Sequence, residues 1–407
     1  MSATLPSLRL GLDVTPSPAP DRPGLVISDR FRYSDCEILV PSAIAPALAC
    51  FDGHHDARDL QRVMSHLVGR PVSNTEVHRF IDTLTRGGFL DDEAFRERMR
   101  GKHAAFAAAE IREAAYAGSG YPQHAAALTE TLDRYHREGR TEAGESATSV
   151  IGVAAPHVSP FGGAAAYGAA YARLAAEHRE RTFVILGTSH YGEPDKFGLT
   201  KKPFVTPYGA AAVDVEAVEF LARRAPSAVT MEDYAHSIEH SIEFQVVFLQ
   251  HALRAPVRIL PILCGPFFCN AGQLPEQRAG VQAFFDALRE LWASRADELF
   301  WVLGIDLAHM GARYGDDFQA EAQRGKMSTV AAQDRARLER VCAGDAEGLF
   351  ELAHTAHDDL KWCGTPPLYT FLRAVPNVRG QILRYDQWNI DPQSVVTFTG
   401  LELSLTE

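Results

Sequence analysis

Apolar and polar positions divide the chain into two textures. From residue 25, "LVISDRFRYSDCEILVPS" alternates apolar and polar residues with the period of a β-hairpin. "AIAPALACF", "DARDLQRVMSHL" and "SNTEVHRFIDTLTRGG" follow with helical spacing, so three short helices are expected after the hairpin. Asp56 and Ser73 stand where side chains cap helix N-termini, and the Gly87–Gly88 pair is a stop signal. The Pro- and Ser-rich stretch ahead of the hairpin predicts a loose arm over residues 1–24. Residues 97–140 read as Ala-rich helix interrupted at "AGSGYP", and a boundary near 100 separates a small α+β domain, 25–100, from the remainder, 101–407.

Beyond residue 149 the pattern changes to short, wholly apolar runs alternating with helices. The runs "SVIGVAA", "TFVILG", "VRILPILCG", "LFWVLGI", "GQILRYD" and "VVTFTGLEL" predict strands. Helices are predicted through "FGGAAAYGAAYARLAAEH", residues 233–253, "PEQRAGVQAFFDALRELWAS", "TVAAQDRARLERVCAG" and "TPPLYTFLRAV". Strands apolar on both faces need helices on both sides, so this part is expected to be a three-layer α/β domain.

A chain of 407 residues is long enough for two cores. Its net charge of −12 and lack of a long Lys/Arg run argue against a nucleic-acid partner, which requires a basic face. No basic-then-apolar leader and no span of roughly 20 apolar residues is present, so a soluble, cytoplasmic protein without a membrane partner is expected. The six cysteines, at 36, 50, 264, 269, 342 and 363, form no CxxC pair and predict no disulfide framework.

Three phrases share one grammar. "VIGVAAPH", "FVILGTSH" and "FWVLGIDLAH" each end an apolar run with a histidine: His157, His190 and His309. Ligands of open α/β sheets bind beyond the carboxyl ends of the strands, so these three are expected to face one crevice. Cys363, in "LKWCGTPPL", precedes a helix start, where the helix dipole favours thiolate. Two imidazoles and a thiolate would leave a catalytic metal its open positions, and such a set suits iron(II), copper or zinc better than magnesium or calcium. A rival motif lies in "AHSIEHSIE". Its HSIEH core matches the H-x-x-E-H of zinc proteases, with His236 and His240 as ligands and Glu239 as base, but no clear third ligand follows. His354 and His357, in "HTAHDDLKWCG", have no second cysteine to make a zinc knot and read as surface residues.

With "FDGHHDARDLQ" and "LTRGGFL", the small domain resembles the PqqD-type winged helix, a fold that recognises precursor peptides; a winged-helix appendage for packing or dimerisation is the alternative. From about residue 114 onward, "AGSGYP", "APH", "LGTSH", "TPYGAAAVD", "EHSIE", "GIDLAH" and "CGTPPL" occur in the order seen in the Memo family, the AmmeMemoRadiSam system protein B of bacteria. That family is similar in fold to class III extradiol ring-cleaving dioxygenases, which implies a three-layer mixed sheet. The resemblance implies metal ligation by His157, His190 and Cys363, where the dioxygenases have a carboxylate in place of the cysteine. It makes Asp306 and His309 a D-x-x-H pair, with His309 as general acid/base and Asp306 orienting it or a water. "EHSIE" then puts His240 and Glu243 on a family helix as pocket-lining or orienting groups, beside Ser189, and leaves His236 incidental.

Two departures from the family pattern bear on substrate shape: Gly120 replaces an aromatic and Tyr191 a histidine. What the resemblance implies is a dioxygenase-like oxidoreductase using Fe(2+), with Cu or Zn as alternatives. It would act on an unknown small molecule or peptide, beside a radical SAM enzyme. The competing expectation is a non-catalytic copper or iron scaffold or redox buffer, because thiolate is a soft, oxidisable donor.

Overall fold

The computed structural model describes residues 4–17, 19, 21–140, 150–268, 270, 272–354 and 359–406. It divides into two compact units, Met1–Ala108 and Ala109–Glu407. The division falls after residue 108 rather than near 100 because a helix starting at Glu93 continues to Ala108.

In the first unit, β1 (Leu12–Pro16), β2 (Gly24–Asp29) and β3 (Ile38–Pro41) form an antiparallel sheet in the order β1-β2-β3. The hairpin is β2–β3. The extra strand β1 lies within the expected arm, where its alternation is masked by flanking Pro and Ser, and it pairs Leu12 with Asp29 through to Pro16 with Leu25. "APALAC" is a short 3-10 turn, with proline near its start, rather than a regular helix. Helices α1 (Ala57–Val68), α2 (Asn74–Gly87) and α3 (Glu93–Ala108) follow. Asp56 and Ser73 close capping boxes with Asp59 and Glu76, and Gly88 ends α2 in the left-handed conformation at φ 70°. Leu60 and Met64, four apart on α1, face a core that also holds Ile27, Val40, Val77 and Leu84.

The second unit begins with α4 (Ala125–Arg140) and runs through β4 (Val150–Ala155), α5 (Ala164–Tyr171), β5 (Thr182–Thr188), β6 (Phe197–Leu199), β7 (Phe204–Thr206), β8 (Gly209–Val213), α6 (Val215–Arg224) and β9 (Val229–Met231). It continues with α7 (Ala235–Ile238), α8 (Glu243–Leu253), β10 (Arg258–Cys264), α9 (Ala279–Arg295), β11 (Leu299–Gly304), β12 (His309–Gly311), α10 (Lys326–Cys342), α11 (Ala346–His354), α12 (Thr365–Ala374), β13 (Val378–Asp391) and β14 (Ser394–Leu405). Eleven strands make one mixed sheet around a parallel centre, β4-β11-β5-β10. The long strands β13 and β14 join it antiparallel, β14 pairing directly with β4.

Period-two alternation in the central strands serves two cores. Val184, Leu186, Trp301 and Leu303 point into one, shared with α9, α10 and α12; Phe183, Ile185, Phe300 and Val302 point into the other, shared with α4, α5 and α8. The predicted helix over 233–253 is two helices with a break at 239–242, Glu239 being extended at φ −80° and ψ 138°. Among the described residues, no helix is long and apolar enough to cross a membrane.

Candidate metal centre

The parallel strands β4, β11 and β5 end level with one another: Gly304 pairs with Ala155 on one side and Gly187 on the other. The loops that leave them carry His157, Asp306 and His190, so the in-register strand ends bring residues distant in sequence to one edge. Cys363 comes from a separate loop, one residue ahead of the Gly364 that caps α12. Its loop is tied to the others by Thr188 Oγ1 donating to the Cys363 carbonyl at 3.0 Å and by Gly364 N–H donating to the Asp306 carbonyl at 3.1 Å. Only glycine fits at 364, where a Cβ would lie 2.5 Å from the Asp306 oxygen.

The imidazoles of His157 and His190 and the thiol of Cys363 each offer a donor atom within 4.8 Å of the others. His157 Nε2 is 3.3 Å from Cys363 Sγ, and the two rings stand edge to face with centroids 5.0 Å apart. A tetrahedral ion with bonds of roughly 2.1 Å to nitrogen and 2.3 Å to sulfur needs donors about 3.5 Å apart, so the cluster can close on a cation through small side-chain adjustments.

The second ring nitrogen of each histidine is already engaged. His157 Nδ1 donates to the Gly304 carbonyl at 3.0 Å. His190 Nδ1 lies 3.1 Å from both oxygens of Glu239, whose carboxylate also accepts from the backbone amides of His190, His240 and Ser241. These bonds leave the Nε2 lone pairs of His157 and His190 for a cation.

Glu239 is the residue that sequence reasoning misplaced. The protease motif makes it a base, whereas the structure, with Glu239 1 % exposed, has it orient His190 and, at 3.1 Å, His240. The His240 ring stacks on His190 at 5.1 Å and meets His157 edge-on at 5.3 Å, forming a second group of potential donors with His190 and Glu239.

The other expected residues sit as follows. Asp306 accepts from the backbone amides of His157 and Val158 at 3.0 and 3.1 Å, and its other oxygen is 3.5 Å from His157 Nε2. It therefore braces the His157 turn rather than His309, whose Nδ1 bonds the carbonyls of Leu307 and Lys361 at 3.0 and 3.2 Å. The His309 ring packs edge-on against Tyr314. Ser189 is buried beside His190, and its Oγ has no partner among the described residues.

Glu243 lies at the start of α8 in a fully buried ion pair with Arg112, and it also accepts from Tyr121 and the amides of Ala115 and Tyr116. None of the cluster residues is among these partners, so its place is structural, anchoring the 112–121 segment. The H-x-x-E-H reading fails on geometry. The chain leaves helix at Glu239, and buried His236 uses Nε2 on the Gly198 carbonyl at 3.0 Å, so no continuous helix presents both histidines to one ion. His357, and the side chain of His354, lie outside the described residues.

Burial disfavours charge on all three donors, yet the Asp306 and Glu239 carboxylates and the pairing of thiol with imidazole outweigh it. Against burial, the Asp306 carboxylate and the Cys363 thiolate push His157 up to about 9. His157 and His309 bring Cys363 down to about 5, again against burial. A cation held by these donors would therefore compete with protons for them.

The family model described as Memo-like protein matches residues 112–402. A MEMO1 family protein of Aquifex aeolicus is 23% identical over 380 residues, covering 92% of this chain and 95% of its own length. A MEMO1 family protein of Thermus thermophilus is 25% identical over 334 residues, 81% and 94% of the two chains. One from Pyrococcus furiosus is 30% identical over 252 residues, 59% and 80%. Among solved structures, an uncharacterized protein of Escherichia coli K12 superposes with a TM-score of 0.37 at 12% identity, over 62% of this chain and 99% of that one, too slight a likeness to carry an argument.

Proposed function

The chain belongs to the Memo family, and on that premise we propose that its α/β unit is a metal-dependent oxidoreductase of the dioxygenase-like kind, with iron(II) held by His157, His190 and Cys363. One observation carries the reading: three donors from separate strand-end loops share a sphere of 4.8 Å, and the far nitrogens of both rings are already hydrogen-bonded. A bound iron(II) ion would supply redox chemistry and open coordination positions. Around it, Gly304 and Glu239 hold the histidine tautomers, and Asp306 fixes the turn that aims His157. His309, its Nδ1 bonded to carbonyls, keeps Nε2 as the proton-handling atom toward a small-molecule or peptide substrate. The N-terminal unit, as a PqqD-like module, would present a peptide or a radical SAM partner.

Protein purified without chelators or affinity nickel should carry one metal ion per chain, iron by elemental analysis, and should consume oxygen after anaerobic iron loading. Cys363→Ala and His190→Ala should lose the ion; wild-type stoichiometry in either refutes the ligand assignment. A second reading, a non-catalytic copper scaffold, is favoured by the thiolate character of Cys363, since a soft donor suits copper(I). Tight copper(I) binding with no oxygen uptake by the iron form would select it.

A further inference from the structure

Behind the metal-ligand loops lies a carboxylate that the proposed chemistry does not use. Asp334, on α10, is fully buried, and its oxygens accept from the Trp362 indole N–H at 2.6 Å, the Thr397 hydroxyl at 2.6 Å and the Tyr385 hydroxyl at 2.7 Å. Burying a carboxylate is costly, and an apolar side chain of similar size would fill the space without that cost. What it gains is reach. Trp362 is the peptide neighbour of Cys363. Thr397 binds the other loop: its Oγ1 accepts from Ala308 N–H at 2.8 Å, and its backbone exchanges bonds of 2.8 and 2.9 Å with Leu307 and Ala308. One carboxylate therefore joins the segment bearing the thiol to the segment between Asp306 and His309.

We propose that Asp334 is a positioning residue for the metal centre, fixing the Cys363 thiol relative to the Asp306–His309 loop through Trp362 and Thr397. The inference rests on the metal reading above. Its consequence is specific: loosening Asp334 should alter the metal–sulfur bond more than it alters the fold.

Cobalt(II) titration of the full-length apoprotein tests this, read by the near-ultraviolet thiolate-to-cobalt charge-transfer band and by affinity. Asp334→Asn should weaken binding by about ten-fold or more and reduce the band. Leu338→Ala, a buried residue one turn further along α10, should lower the melting temperature comparably yet leave band and affinity as in wild type. Should Asp334→Asn not fold, Trp362→Phe and Thr397→Val each remove one arm while keeping shape, and each should shift the band. The inference is overturned if all three variants titrate like wild type, or if Leu338→Ala changes the band as much as they do. A wild-type band that survives Cys363→Ala overturns the metal reading itself, and this inference with it.

Discussion

Glu239 holds two imidazoles and three backbone amides at once. Glu239→Gln would turn an amide N–H toward groups that already donate, so cobalt(II) or iron(II) affinity should fall about 10–100-fold with the ligands intact, as a metal titration would read. His236 gives a pH prediction. Burial pushes it down to about 4, against a bond to the Gly198 carbonyl that favours charge. An unfolded histidine titrates near 6.5, so below that pH the unfolded chain binds a proton the folded chain refuses. Stability should therefore fall as pH drops from about 6.5 toward 4, by up to about 1.4 kcal/mol per unit from this group, and stay level above. In His236→Gln, whose amide keeps a donor for Gly198, denaturation across that range should show a slope shallower by one proton. The candidate histidine ligands were legible because each follows an apolar run that the eye can find, and Cys363 because it stands just ahead of a helix start. Glu239 was hidden because its partner, His190, lies 49 positions away and no local spacing records the bond.

Among elements, the six long strands of the α/β unit were legible, since continuous apolar runs have few other homes. Strands β6, β7, β9 and β12 have three residues each, too few to establish any period, and depend on pairing for their existence. The break between α7 and α8 escaped pattern reading because a side chain, not a helix-breaking residue, captures the amides of His240 and Ser241. The same break frees the carbonyls of His236 and Glu239 to receive Arg112, which ties the opening segment of the unit to α8 through Glu243. Arg112→Met strands that carboxylate in the interior and should cost about 3–5 kcal/mol in denaturant unfolding, much of it recovered in the Arg112→Met/Glu243→Met double variant. At the other end of the scale, Asp56→Ala at the α1 cap should cost about 1 kcal/mol.

For the whole molecule, each unit has its own core, and every member of the candidate centre belongs to Ala109–Glu407. Residues 109–407 produced alone should fold and keep the full metal stoichiometry, while residues 1–108 should give a cooperative melt without metal. Loss of metal from the larger piece would show that the N-terminal unit is needed to build the site. The position of β14 carries a further consequence. Strand β14 lies inside the sheet, against β4, whose end leads into His157. Breaking that register, as in Leu401→Pro, should therefore disturb the His157 turn as well as the sheet, and the folded fraction should retain less metal than wild type by elemental analysis.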